Sequence, residues 1–259
     1  MAKKQPTDLS QLYGEAIALR ATAYRELIKY YGDVPYVSEM GKPAGGLMSR
    51  DAIYEKVIAD LQMVEPLMYP VGATKNTFSK TYVNALIGRI ALEAGGYQTR
   101  RGDVAPVDAE GNAVTIETLG AENNGANYGR RSDWKEFYAI AKTHFQNVIN
   151  EPGTAKFHET DPGGAENGRV YGNPYQYFFQ QLHGADASYA DESIYEEPFT
   201  QGASGNDPRS YSLGRPSGGG GSNAYPCKAY GQGRINPAFY YGVFDPADLR
   251  RDVSCAVTG

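Results

Sequence analysis

Residues 14–37 form the segment that most constrains the fold of this chain, because their apolar side chains follow two stripes of a helix. One stripe contains Ala16, Leu19, Ala23, Leu27 and Tyr30, and the other contains Ile17, Tyr24, Ile28 and Tyr31. Residues that are three or four positions apart lie on the same side of a helix. We therefore expect this helix to pack against neighbours on both sides.

The end of this helix is marked by Gly32 and Pro35. Glycine is favoured just after the last helical turn, since it adopts a positive φ at little steric cost. Proline cannot continue a helix, because it lacks the backbone N–H and its ring clashes with the preceding turn. The helix is therefore predicted to stop at residue 31.

Three further helices are predicted, and the four helices form two pairs. The first pair covers about residues 9–31 and 50–65, and the second covers about residues 80–94 and 133–150. Their predicted N-caps are Ser49, Ser79 and Ser132, because a serine hydroxyl accepts a hydrogen bond from a free backbone N–H of the first turn. The buried stripe of the second helix is predicted to comprise Ile53, Tyr54, Val57, Ile58, Leu61 and Val64.

The third helix carries small residues at every third position, namely Ala85, Gly88 and Ala91. Small side chains allow another helix to approach closely, as in stacked helical pairs. Tetratricopeptide repeats stack such pairs with a period of ~34 residues. Here the two pairs begin near Leu9 and Lys80, so inserted loops stretch any repeat.

The chain is predicted to contain a helical-repeat layer at residues 1–150, with an inserted loop or hairpin at about residues 97–131. Residues 151–259 are predicted to form a loop-rich lobe on the ligand side, in one structural domain with the helices, because long periodic segments are few there. Within this lobe, a short helix is predicted to begin at Pro174. The alternating residues 191–200 predict an edge strand.

Charge and composition exclude several classes of protein. The net charge of −5 argues against a general nucleic-acid binder, since neutralising phosphates requires a basic face. No apolar run approaches the ~20 residues of a membrane-spanning helix. The two cysteines, Cys227 and Cys255, fit neither a CxxC redox pair nor a zinc cluster, and both a disulfide and two free thiols remain open.

Catalytic and cofactor motifs are absent from the sequence. No HExxH, G-x-S-x-G or Walker-type pattern occurs, so we expect no enzymatic activity, no cofactor and no metal. The acidic pair Glu196 and Glu197 would point to opposite faces of a strand, which does not suit the paired carboxylates of a glycosidase.

Three segments resemble the SusD/RagB family of outer-membrane nutrient-binding lipoproteins. They are the helix that ends in Gly-Asp-Val-Pro at residues 32–35, the aromatic segment at residues 173–184 that precedes a strand containing a glutamate, and the Asp-Leu-Arg sequence at residues 248–250. The segments occur in the order found in the family. Family members begin with a lipoprotein signal and continue well past the Asp-Leu-Arg region, so the chain resembles an internal fragment.

The resemblance implies a mainly α fold with irregular tetratricopeptide-like helical pairs, which form the SusD-like α-α superhelix, together with a loop-rich lobe and a few short strands. It also implies a function, namely capture of a polysaccharide or oligosaccharide at the cell surface of a Gram-negative bacterium of the Bacteroidetes type. The implied partner is a TonB-dependent transporter of the SusC kind, and the implied location is the outer membrane, through a lipid anchor that this chain lacks.

The loop at residues 202–241 is the predicted ligand-binding segment, because it mixes aromatic residues with amide and guanidinium groups. A sugar ring has an apolar face that stacks on flat aromatics and a rim of hydroxyls that form hydrogen bonds. The candidate ligand-binding residues are Tyr211, Arg215, Asn223, Tyr225 and Tyr230. Two alternatives stay open, which are capture of a peptide and a helical-repeat scaffold that binds only protein.

Overall fold

The computed structural model describes residues 5–37, 39–100, 128–162, 172–182, 191–197, 233 and 235–255. The chain divides into two compact units, Met1–Ala155 and Lys156–Gly259. The described residues are mainly helical, with two small two-stranded sheets. This confirms the prediction of a mainly α fold with a few short strands. None of the described helices combines the length and apolar character that a membrane crossing requires.

The described part of the first unit contains four α-helices, a short 3-10 helix at Glu65–Leu67 and two short sheets. The helices are α1 (Asp8–Tyr31), α2 (Arg50–Val64), α3 (Lys80–Ala94) and α4 (Trp134–Asn150). Strands β1 (Val34–Pro35) and β2 (Leu47–Met48) pair antiparallel, with Val34 opposite Met48. Strands β3 (Gln98–Thr99) and β4 (Tyr128–Gly129) pair in the same way and join the two ends of the predicted insertion. The hairpin predicted inside that insertion lies outside the described residues.

The second unit contains three short helices among its described residues. They are α5 (Pro174–Leu182), α6 (Pro237–Gly242) and α7 (Arg250–Ser254). Helix α5 begins at Pro174 as predicted. Proline suits the first helical turn, since its missing N–H has no partner there anyway.

Helices α1 and α2 run antiparallel. Ser10, near the start of α1, donates a hydrogen bond from its hydroxyl to the carbonyl of Leu67, just after α2, over 2.8 Å. At the opposite end, the backbone N–H of Arg50 donates to Asp33, just after α1, over 2.8 Å. The connection between them is closed by the β1–β2 pair.

Helices α3 and α4 are likewise antiparallel and pack closely. The ammonium of Lys80, at the start of α3, lies 2.6 Å from Glu151, just after α4. At the other end, a side chain at Gly95 would meet the carbonyl of Trp134 at 2.9 Å. Gly88 also faces α4, because a Cβ there would lie 2.6 Å from the ring of Phe145. Of the three small residues predicted on α3, Gly88 thus faces a neighbouring helix.

Local capping signals decide where the helices begin. Ser49 accepts a hydrogen bond from Ala52 N–H, and Ser79 accepts one from Tyr82 N–H, as predicted. The prediction for α4 is wrong by one residue, since its N-cap is Asp133 rather than Ser132. The carboxylate of Asp133 binds the guanidinium of Arg131 instead of the first helical turn.

The core of the first unit lies between the helices, and α2 supplies its centre. All six residues of the predicted stripe on α2 are buried. Large side chains that are fully buried include Ile28, Ile53, Leu61, Met68, Ile87 and Ile90. The prediction for α2 is therefore confirmed.

The two-sided burial predicted for α1 is wrong. The stripe formed by Ala16, Leu19, Ala23, Leu27 and Tyr30 is exposed along its whole length. The buried face comprises Gly14, Ile17, Ala18, Ala21, Arg25 and Ile28. Tyr31, predicted in the second stripe, is also exposed. Both sides of α1 are apolar, but only one side packs against α2 and α3.

The edge strand predicted at residues 191–200 does not form in its described part, residues 191–197. The carbonyl of Asp191 accepts a hydrogen bond from Lys156 N–H over 2.9 Å. The carboxylate of Glu192 accepts one from His158 N–H over 2.7 Å. Two isolated hydrogen bonds from the backbone of residues 156 and 158 thus take the place of the regular hydrogen bonds of a strand.

Two buried arginines are held by one carboxylate at the start of α2. Asp51 Oδ2 lies 2.7 Å from Arg100 Nε, and Asp51 Oδ1 lies 3.7 Å from an NH group of Arg131. All three side chains are at most 4% exposed. Burial works against the charged Arg131, but its contacts with Asp133, Glu55 and Asp51 outweigh this and raise its pKa.

His144 on α4 is a buried structural histidine. Its Nδ1 lies 2.8 Å from Asn84 Oδ1, and its Nε2 lies 3.2 Å from Gln62 Nε2. Because the Gln62 amide donates to Nε2, the ring is neutral and carries its proton on Nδ1. Burial lowers the pKa of His144, and the nearby Glu65 offsets only part of this effect.

We expect acid to destabilise the first unit through His144. Its folded pKa lies below the unfolded value of about 6.5, so the unfolded state binds the proton more tightly. The stabilising contribution is complete above that unfolded value and is lost as the pH falls through the lower folded pKa. Urea unfolding between about pH 7 and pH 5 measures this slope. His144→Gln should flatten it, whereas the control His158→Gln should leave it in place; equal slopes in all three proteins would contradict the assignment.

Candidate functional site

The predicted ligand-binding residues lie outside the described part of the chain. These are Tyr211, Arg215, Asn223, Tyr225 and Tyr230. Of the surrounding loop at residues 202–241, the described part is Gly233 and residues 235–241, which include most of helix α6. The candidate site is therefore sought among the described residues of the second unit.

The second unit contains a pocket of 660 Å³. Four segments line it, namely residues 157–159, the start of α5, Glu192 and the start of α7. The lining residues are Phe157, His158, Glu159, Asn173, Pro174, Tyr175, Phe178, Glu192, Leu249 and Arg250. Pockets of roughly 300–1,000 Å³ are the usual size for small-molecule ligands.

Asn173 joins the segments that line this pocket, and it is itself buried. Its side-chain amide donates to the carbonyl of Leu249 over 3.0 Å. Its side-chain oxygen accepts from Gln176 N–H over 3.2 Å, and its backbone N–H donates to Asp161 over 3.3 Å. Asn173 therefore caps α5 and at the same time fixes the residue that precedes α7.

The aromatic wall of the pocket comes from α5 and residue 157. Tyr175 and Phe178 are half-buried, and Phe157 is 83% exposed. The hydroxyl of Tyr175 lies 3.1 Å from the hydroxyl of Ser254, and its ring packs edge-on against Phe179 at 4.9 Å between centroids. These contacts fix the Tyr175 ring while part of its surface stays accessible.

The charged side chains that line the pocket include two carboxylates and one guanidinium. Among the described lining residues, Glu159 and Glu192 contribute carboxylates, and Arg250 is the only cation other than a histidine. The guanidinium of Arg250 donates hydrogen bonds to both carboxylate oxygens of Asp248, over 2.6 and 2.9 Å. These bonds lower the pKa of the Asp248 carboxyl to about 2. The charge of Arg250 is thus already balanced, so the pocket lining is net negative.

His158 lies at the inner side of the pocket. Its ring is edge-on to Tyr177 at 5.5 Å between centroids, and its Nε2 lies 3.8 Å from Asp191. That nitrogen is buried and has no hydrogen-bond partner among the described residues. Because this nitrogen has no contact with solvent, a polar ligand group can bind it only if the ring turns toward the pocket.

The pocket offers flat aromatic faces beside hydrogen-bonding carboxylate, amide and imidazole groups. This combination suits a ring with an apolar face and a polar rim. Within the described ranges, no group of three or more His, Cys, Asp or Glu side chains is arranged to hold a metal ion. Cys255 is a buried free thiol, whereas Cys227 lies outside the described residues.

Sequence reasoning singled out the segments around Asn173 and Asp248 but did not assign either of them to a ligand site. The sequence signal that could have pointed to this pocket is an asparagine at the N-cap of an aromatic helix. Such a signal is weak, because asparagine caps many helices that line no pocket.

No protein-family model, curated protein or solved structure matches this chain. The function is therefore argued from the chemistry of the pocket and from the sequence segments described above.

Proposed function

We propose that this chain is a non-catalytic nutrient-binding protein that captures a glycan at the cell surface and delivers it to a TonB-dependent transporter of the SusC kind. The observation that carries the proposal is the pocket of the second unit, with Tyr175 and Phe178 as stacking surfaces and Asn173, His158 and Glu192 as polar partners. Its volume of 660 Å³ accommodates a ring-sized ligand.

The proposal also rests on the resemblance of three sequence segments to the SusD/RagB family. In that family the protein is held at the outer membrane by a lipid anchor and closes over its transporter. We propose the same location and partner for this protein. The loop residues Tyr211, Tyr225 and Tyr230 then extend the glycan surface beyond the pocket.

We expect Tyr175→Ala to weaken binding of a polysaccharide about tenfold, which corresponds to a loss of about 1.4 kcal/mol in stacking and contact. The polysaccharide is first identified by affinity electrophoresis against plant, host and microbial polysaccharides, and the affinity is then measured by calorimetric titration. Tyr31→Ala is the control, since this tyrosine is 75% exposed and lies outside both the pocket lining and the loop at residues 202–241.

Two results would contradict the assignment of the pocket. One is unchanged affinity in Tyr175→Ala, with a native circular dichroism spectrum. The other is a loss of binding confined to Tyr211→Ala, Tyr225→Ala or Tyr230→Ala, which would assign the ligand to the loop alone. A folded protein that binds no polysaccharide of the panel would contradict glycan capture itself.

Peptide capture is the second candidate, and the acidic lining of the pocket favours it. Glu159 and Glu192 would attract a lysine or arginine side chain, and the neighbouring aromatic rings would add cation–π attraction. A panel of basic peptides beside the polysaccharides distinguishes the two cargoes, because Glu159→Gln should weaken only peptide binding. If the chain bound neither the polysaccharides nor the peptides, a helical-repeat scaffold that binds protein would be favoured.

A further inference from the structure

Helix α1 carries an apolar stripe along its whole exposed face. Leu9, Leu12, Leu19 and Tyr30 are each at least 60% exposed. Ala16, Ala23 and Leu27 continue the same stripe and are also exposed. The outer helix of a stacked helical layer usually presents a polar face to solvent. An apolar stripe of this length therefore indicates a protein surface that α1 contacts.

The spacing of the stripe is that of a coiled coil. Leu9, Ala16, Ala23 and Tyr30 recur every seven residues, and Leu12 and Leu19 follow the first two of these by three residues. Apolar residues at these two heptad positions form the seam of paired helices. The seam lies opposite the buried face of α1, so the helix can pack on both sides at once.

We propose that α1 pairs antiparallel with α1 of a second copy of this chain, about a two-fold axis beside Leu19 and Ala23. In this register Leu19 faces Ala23 of the partner subunit, so a large side chain fills the space above a small one. Leu12 faces Tyr30 of the partner subunit at either end. Each contact occurs twice, as a two-fold interface requires.

The charges beside the seam favour the same register. Glu15 and Lys29 occupy equivalent flanking positions of the heptad, and the antiparallel register places Glu15 beside Lys29 of the partner subunit, twice per dimer. Arg20 would approach its own copy, but Asp60 of the same chain already neutralises it over 2.7 Å.

A parallel pair is disfavoured by Glu26. This residue occupies a seam position, and parallel helices would bring it against Glu26 of the partner subunit. In the antiparallel register it faces Ala16 of the partner subunit instead, and it keeps its contact with Arg25 over 2.7 Å. The acidic seam residue therefore selects the direction of pairing.

The interface is short, so the dimer is expected to be weak. The paired part of the seam, from Leu12 to Tyr30, is ~27 Å long at 1.5 Å per residue. A stable interface buries at least about 1,000 Å² in total, and one pair of helices of this length barely reaches that size. We expect a dissociation constant in the micromolar range, independent of any glycan.

Sedimentation velocity over a concentration series from micromolar to millimolar tests the proposal. The wild-type chain should shift from monomer to dimer, and Leu19→Glu should weaken dimerisation at least a hundredfold, because each dimer then carries two carboxylates at its centre. Leu92→Glu is the matched control, since Leu92 is an exposed leucine on α3 and should leave dimerisation unchanged.

A charge exchange tests the register. Lys29→Glu should weaken the dimer about tenfold, and the double variant Glu15→Lys/Lys29→Glu should restore it. A wild-type chain that stays monomeric throughout the series would overturn the proposal. So would a dimer that survives Leu19→Glu, and a double variant as weak as Lys29→Glu would overturn the antiparallel register. Circular dichroism confirms that each variant is folded.

Discussion

Asp51→Ala should lower the free energy of unfolding by about 3–5 kcal/mol, which is the usual effect of removing one partner from a buried ion pair. The carboxylate of Asp51 is the buried counter-charge for Arg100, at 2.7 Å, and lies 3.7 Å from Arg131. Among the described residues, alanine would leave the Arg100 guanidinium, which is 4% exposed, with only backbone carbonyls as partners. A loss of this size is a large part of the 5–15 kcal/mol that stabilises a typical domain.

Urea unfolding of Asp51→Ala and Glu55→Ala distinguishes the loss of the buried counter-charge from the loss of an ordinary acidic residue on α2. Glu55 also binds Arg131, over 2.6 Å, but its side chain is 54% exposed. Solvent screens the Glu55 half of this pair, and the buried Arg131 keeps Asp133 and Asp51 as partners, so Glu55→Ala should cost only about 1 kcal/mol. The double variant Asp51→Ala/Arg100→Met should recover much of the loss, because it removes the uncompensated charge. Equal effects of the two single variants would refute the structural role of Asp51.

Gly88→Val should destabilise the first unit by about 3 kcal/mol, at the upper end of the range for overpacking. A Cβ at this position would lie 2.6 Å from one ring carbon of Phe145 and 2.8 Å from two others. Valine also has a branched Cβ, which fixes its rotamer in a helix and prevents it from turning away. The α3–α4 contact must therefore widen to accept the substitution.

Gly72→Val is the matched control, since a Cβ at Gly72 has no neighbour within 4 Å and this glycine has no positive φ. We expect it to change the unfolding free energy by less than about 0.5 kcal/mol. Gly88→Val combined with Phe145→Ala should be less destabilised than the sum of the two single variants, because the smaller side chain on α4 makes room for the larger one on α3. Strict additivity would show that Gly88 and Phe145 do not press on each other.

The parts of the fold that could be predicted from sequence depend on short-range interactions. Ser49 and Ser79 cap helices because each hydroxyl reaches an N–H three residues away. Gly32 ends α1 with a φ of 76°, a conformation that glycine adopts without strain. The stripe on α2 is equally local, since its apolar residues lie on one face whatever the surroundings.

Asp133 and Glu192 illustrate where local reasoning fails. The sequence favours Ser132 as the N-cap of α4, but Asp133 takes that position with its carboxylate bound to Arg131. The alternation around Glu192 favours a strand, but its carboxylate binds the backbone of His158, 34 residues earlier. The partner of Glu192 is distant in the sequence. The partner of Asp133 is the nearby Arg131, which is itself held by Asp51 and Glu55 of α2.

The candidate site depends on tertiary structure in the same way. Asn173 holds Leu249, 76 residues later in the chain, and the pocket forms between them. Each segment taken alone has only an aromatic helix or an acidic turn. Their convergence on one pocket follows from packing that no sequence spacing encodes.

The mainly helical character of this protein, the end of its first helix and the two apolar sides of α1 can all be read from the order of its residues. Which of those two sides is buried depends on packing, because Ile17 and Leu19 are equally suited to a core. Burial depends on whether a neighbouring helix is present, and a hydrophobic contact has no directional signal in the chain. The position of Asp51 between two arginines from distant segments was decided in the same way.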